Sequence, residues 1–125
     1  MNEIKTRTEH IVLGEDGIVK CKAFKYSQHT LEDAKENIEA VRLLAKGRRV
    51  PVLVDITEVK GADREARAYL ASEEVAVVQS AAALIVGSPI SKLVGNFFIG
   101  LNKTTFPTRL FTDEKRAVKW LNTFI

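Results

Sequence analysis

The chain has a single cysteine, Cys21, so it cannot form an internal disulfide, and a lone small thiol fits a reducing cytoplasm. Its two histidines, His10 and His29, stand at no metal-ligand spacing from each other or from Cys21. Gly-x-Ser-x-Gly, Walker and Gly-x-Gly-x-x-Gly motifs are all missing. An excess of one charge is missing too: 19 Lys and Arg against 16 Asp and Glu leave a net charge of +3, evenly spread. That balance gives no pointer to nucleic acid as a partner. No apolar run approaches the roughly 18 residues of a membrane span. The opening Met-Asn-Glu-Ile-Lys-Thr-Arg-Thr-Glu-His lacks a signal peptide's apolar centre. Together these absences predict a cytoplasmic protein with no metal, no cofactor and no catalytic constellation.

What is present is ordinary globular material, 46% apolar and 28% charged, without repeats or linkers, so residues 1–125 are expected to form one domain. Residues 9–13 and 17–26 read as strands joined by Gly14-Glu15-Asp16-Gly17, the second of them a half-exposed antiparallel edge. Thr30 and Asp33 form a Thr-x-x-Asp cap on a helix whose inner stripe is Leu31, Ala34, Ile38, Val41 and Ala45; Gly47 ends it. Val50–Val54 and Ala82–Val86 are continuous apolar runs, the signature of buried parallel strands. Between them a helix starts near Arg64 and restarts near Ser72-Glu73-Glu74. Gly87-Ser88-Pro89 turns the chain into a helix reaching Leu101. A strand at Thr108–Phe111 leads to a last helix capped by Thr112 or Asp113, with Ala117, Trp120, Leu121 and Phe124 inward. The order β-β-α-β-α-β-α-β-α predicts an α/β fold: a mixed, mostly parallel sheet of about five strands covered by about four helices.

Asp55-Ile56-Thr57-Glu58-Val59, three residues, then Asp63-Arg64-Glu65-Ala66 resembles the Asp-Leu-Ser-x-Val … Asp-Ser-Ser-Gly pattern of STAS domains, the SpoIIAA-like anti-sigma-factor antagonists. The segment from Gly95-Asn96-Phe97-Phe98 through Phe106-Pro107 to Trp120-Leu121 is similar to a small bacterial STAS/SEC14-like branch without assigned activity. The resemblance covers nearly the whole chain. It implies a SpoIIAA-like fold and a non-enzymatic binding or regulatory role. It places Arg64 where the family's phosphorylated serine stands, and a guanidinium accepts no phosphoryl group, so a serine phosphoswitch is not expected.

Two sets of residues are the candidates for binding. Lys60, Asp63, Arg64 and Arg67 surround a helix start, which suits an anion or an acidic protein partner, although exposed charges of this kind are also an ordinary solvated face. Ile90, Leu93, Val94, Phe97 and Phe98 form a wide apolar helix face, which reads as core, as the wall of a pocket for a small apolar ligand in the SEC14-like sense, or as a homodimer contact. Gly95 and Gly100 within that helix suggest close packing against a neighbouring backbone, either within the fold or across a dimer. Any site should draw on the loops at the carboxyl ends of the strands: 56–63, 87–91 and Thr112-Asp113.

Overall fold

Strand pairing follows the apolar runs. The computed structural model describes residues 2–101 and 104–125, with side chains for all of these but 97–101. Three strands come first, β1 (Glu3–Lys5), β2 (Glu9–Leu13) and β3 (Val19–Ala23), then a two-residue strand β4 (Gln28–His29) and helix α1 (Leu31–Leu44). Next are β5 (Val50–Asp55), the two-residue β6 (Gly61–Ala62) and helices α2 (Arg64–Leu70) and α3 (Glu73–Ala76). The chain closes with β7 (Gln79–Ile85), α4 (Pro89–Leu101), β8 (Thr108–Phe111) and α5 (Glu114–Leu121). The main sheet has the order β1-β2-β3-β5-β7-β8, and β4 pairs with β6 apart from it.

The two buried apolar runs are parallel neighbours, with Val52 opposite Ala82 and Val54 opposite Leu84, as the sequence predicts. Two details differ. The sheet has six strands, because β1 adds an antiparallel edge that its three polar-flanked residues do not announce. Second, β3 is interior instead of an edge, because it pairs antiparallel with β2 and parallel with β5. The alternation that suggested an edge reflects its two faces instead. Cys21 faces the core, while exposed Lys22 lies beside Asp55 and reaches its Oδ2 at 2.9 Å.

Side-chain alternation along the sheet divides the core in two. Val50, Val52 and Ala82 pack with Ile38, Val41 and Leu44 of α1 and Val75 of α3. Ala81, Ala83 and Ile85 face the opposite side and pack on Ala117 and Leu121 of α5. Gly95 of α4 is a close approach, but to side chains rather than to a backbone: a Cβ there would meet Leu110 Cδ2 at 2.9 Å and Val86 Cγ1 at 3.2 Å.

The helix starts obey their sequence signals. Thr30 Oγ1 accepts from Asp33 N at 3.2 Å while Asp33 Oδ2 accepts from Thr30 N at 2.9 Å, a complete capping box. Ser88 Oγ accepts from Ser91 N at 2.9 Å ahead of α4, and Asp113 caps α5. Replacing Thr30 with alanine removes half of the box, and urea unfolding should show a loss of about 1 kcal/mol. No change would mean that the cap is redundant with the bond from Arg7 Nε to Asp33 Oδ1, 2.8 Å long.

Candidate functional site

A cavity of about 100 Å3 lies between the sheet and helices α1, α2 and α4. Apolar side chains make most of its wall, among them Ala34 and Ile38 of α1, Val54 and Leu84 of the sheet, Leu70 of α2 and Val94 of α4. Five polar residues also reach it: Glu9, His29, Asn37, Arg67 and Gln79. Four of them, all but Arg67, are buried. Burying polar groups is costly unless they find partners, so how each is satisfied indicates what the site can do.

Asn37 is saturated from one side: its Nδ2 donates to Thr8 Oγ1 at 3.0 Å and its Oδ1 accepts from Thr6 Oγ1. Asp33, just outside the cavity, is held by Arg7, whose Nη2 and Nε both donate to it; this keeps the carboxyl well below its ordinary range. Among the described residues Glu9 has no such cation paired with it. Burial pushes its carboxyl up to about 7, against a hydrogen bond from Cys21 that lowers it. Burial also pushes the Cys21 thiol up and the His29 imidazole down. The site therefore disfavours charge at each of these three groups.

Ser27 Oγ and His29 Nε2 share a hydrogen bond of 2.9 Å, and His29 Nδ1 lies 3.9 Å from Glu9 Oε2. Hydroxyl, imidazole and carboxyl stand in the order of a nucleophilic triad. The second distance is beyond hydrogen-bond reach, and a carboxyl held toward its neutral form does not support an imidazolium. We read this line as a buried polar network rather than an activated nucleophile. Among the described residues, no group of three or more His, Cys, Asp or Glu is placed to hold a metal ion.

The residues singled out in the sequence are divided among different surroundings. Lys60 and Arg64 are exposed, whereas Arg67, one turn further along α2, is half-buried and lines the cavity. Asp63 precedes α2 without capping it; its Oδ1 accepts instead from Gln28 Nε2 at 2.7 Å. In α4, Ile90 and Leu93 are 53% and 57% exposed, while Val94 turns to the cavity; the side chains of Phe97 and Phe98 lie outside the described residues. At the loop after β5, Thr57 N and Oγ1 both donate to Asp55 Oδ1, at 2.9 and 2.7 Å. Burial alone would raise the Asp55 carboxyl, but these bonds and Lys22 hold it below its ordinary value. Basic side chains gather elsewhere, in an open groove at the carboxyl ends of β7 and β8 that includes Lys92, Arg109 and Arg116. Arg109 is stacked there against Phe111 and Trp120, 5.3 and 5.5 Å from the ring centres.

Glu9, Asn37 and Gln79 escaped the sequence reading, although the signal for two of them exists. Glu9 shares strand parity with Ile11, and Asn37 sits between Ala34, Ile38 and Val41 on the inner stripe of α1. A polar residue on an apolar face marks either a network or a site. Gln79 precedes the apolar run of β7 and reads as its polar boundary.

The fold is SpoIIAA-like. It is similar to the crystal structure of an uncharacterized protein of the DUF3478 family with a SpoIIAA-like fold from Shewanella loihica PV-4, with a TM-score of 0.59 and 21% identity over 94% of this chain and 98% of that one. A protein of unknown function from Arthrobacter sp. FB24 aligns over 95% of this chain and 96% of its own at 27% identity, but a TM-score of 0.31 adds nothing to the fold assignment. No curated protein matches the sequence significantly. No helix among the described residues is long and apolar enough to cross a membrane. A family pattern matches residues 12–125, nearly all of a chain whose sheet, caps and cavity have been traced above, and the chain therefore belongs to the family described as a domain of unknown function, DUF7793.

Proposed function

We propose that this single domain is a small-ligand binding module acting without covalent chemistry, with the cavity under α1, α2 and α4 as its binding site. The observation that carries the reading is a cavity whose apolar wall is interrupted by buried polar side chains. Ligand sites commonly combine an apolar lining with a few convergent polar groups that fix orientation. At about 100 Å3 the cavity is smaller than the roughly 300–1,000 Å3 of drug-sized sites, so a lipid-like cargo does not suit it. An engineered cavity of roughly 150 Å3 holds benzene, which sets the scale at a handful of heavy atoms. A phosphoswitch has little support. Arg64 offers no acceptor, and the Thr57 hydroxyl is committed to Asp55.

A second reading is favoured by α4, which joins the cavity to the surface. Val94 and Gly95 wall the cavity, while Ile90 and Leu93 on the same helix are exposed. This arrangement suits a regulatory module in which the ligand sets the position of α4 and a protein partner, or a second copy of the chain, reads its outer face.

Amide chemical shifts recorded against a library of fragments below about eight heavy atoms test the site. Binders should move Ala34, Val54, Leu84 and Val94, and the cavity-filling Ala82→Leu should abolish their binding while the rest of the spectrum keeps its dispersion. Fragments that bind only at the exposed side of α4, or equally well to the filled variant, would remove the cavity as the site.

A further inference from the structure

Gln79 differs from the other buried polar residues. Asn37, His29, Asp33 and Ser91 each have a side-chain hydrogen bond, Thr8 accepts from Asn37, and Glu9 accepts from Cys21. The Gln79 side chain, in a residue 5% exposed, forms no hydrogen bond or ion pair among the described residues, and it lines the cavity. Its amide is not among the fully enclosed side-chain atoms that lack a partner, so its two N–H donors and its carbonyl acceptor open onto the cavity instead of onto protein groups, at a cost in hydration. Leucine or methionine would fill the start of β7 without that cost.

We propose that the cavity recognises a short-chain primary carboxamide, about four to six heavy atoms, by a paired hydrogen bond with the Gln79 amide. The inference rests on the cavity being the ligand site, and it names the chemistry of the head group. An amide facing an amide satisfies one donor and one acceptor on each side with no net charge. Neutrality matters here, because a carboxylate guest would gain from Arg67 but would add a second acid to a wall that already holds Glu9. An alcohol or ketone of the same size would leave part of the Gln79 amide unpaired. The short apolar tail would lie against Val54, Leu84 and Val94.

Propionamide, 2-butanone and propionate have the same number of heavy atoms and nearly the same shape, so they separate head-group chemistry from cavity filling. Titrated into the full chain at pH 7.5, propionamide should bind about tenfold more tightly than 2-butanone, the effect of roughly one net hydrogen bond. It should also shift the side-chain NH2 resonances of Gln79. In Gln79→Met the preference for propionamide over 2-butanone should disappear. Equal binding of propionamide and 2-butanone to the wild-type chain would overturn the head-group assignment and leave the cavity standing as a site for apolar fragments. Tightest binding by propionate would overturn it in favour of Arg67. Binding by none of the three would remove both the assignment and its basis. If Gln79→Met fails to fold, the NH2 shift decides: propionamide binding that leaves it unmoved refutes the pairing.

Discussion

Glu9→Gln should make the protein more stable at pH 8, by about 3 kcal/mol, while changing little at pH 4.5. The carboxyl titrates at about 7 in the folded chain against 4.5 when unperturbed, because burial penalises its charged form. Below 4.5 both states are protonated and the group contributes nothing. Between 4.5 and about 7 the unfolded chain releases a proton that the folded chain keeps, so stability falls as pH rises. Above 7 the folded state carries the full penalty of a buried carboxylate. Glutamine is shaped like the protonated acid and cannot ionise, so the variant escapes that penalty.

The groups around Glu9 make the experiment discriminating. Cys21 on β3 hydrogen-bonds to it, His29 on β4 lies 3.9 Å away, and the Asp33 carboxylate on α1 raises it further. His29 acts with the opposite sign: its folded value is below 6.5, so it costs stability as pH falls through that range. Wild type should therefore show a shallow maximum in the mildly acidic region. Glu9→Gln should show a curve that rises through pH 6.5 and then stays level. Melting temperatures at pH 4.5, 6 and 8 measure this, with a gain of about 10 °C expected at pH 8. A variant that is less stable than wild type at pH 8 would mean that the Glu9 carboxylate is paired in the folded protein, and the burial penalty assigned to it would be lost.

Much of the fold was legible because its signals are local. The runs Val50–Val54 and Ala82–Val86 need both faces buried, and only neighbouring interior strands provide that. Caps such as Thr30-Asp33 and Ser88-Pro89 are written in three or four residues, and the break between α2 and α3 falls where Ser72-Glu73-Glu74 places it. β1 was not legible, because an edge strand of three residues is fixed by its partner rather than by its own pattern. The cavity was even less so. Glu9, His29, Arg67 and Gln79 come from four separate elements, and their convergence depends on how α2 and β4 settle over the sheet. No spacing along the chain encodes it. The candidate residues at α2 show the same limit of spacing: Lys60, Arg64 and Arg67 are close in sequence, but Arg67 lines the cavity while Lys60 and Arg64 are exposed.

A binding group that lacks a partner in the free protein makes the fold less stable than it would otherwise be, and Gln79 provides the measurement. With no ligand added, Gln79→Met should raise stability by about 1 kcal/mol, because an amide that opens onto an apolar-walled cavity instead of onto protein partners is poorly compensated for its lost hydration. Methionine has nearly the length and volume of glutamine, and its flexible thioether can adjust to the cavity wall, so neither a new void nor overpacking offsets the gain. Urea unfolding should place the midpoint about 1 M higher at an unchanged slope, because the surface exposed on unfolding is nearly the same. The contrast with Asn37 sharpens the result. Asn37→Leu leaves the buried Thr8 hydroxyl without its donor and removes one of the bonds of Thr6, and it should destabilise the chain. Opposite signs for two buried amides along one cavity would separate the residue kept for binding from the residue kept for structure. A loss of stability in Gln79→Met would show that its amide is already satisfied in the free protein, and its availability to a ligand would have to be given up.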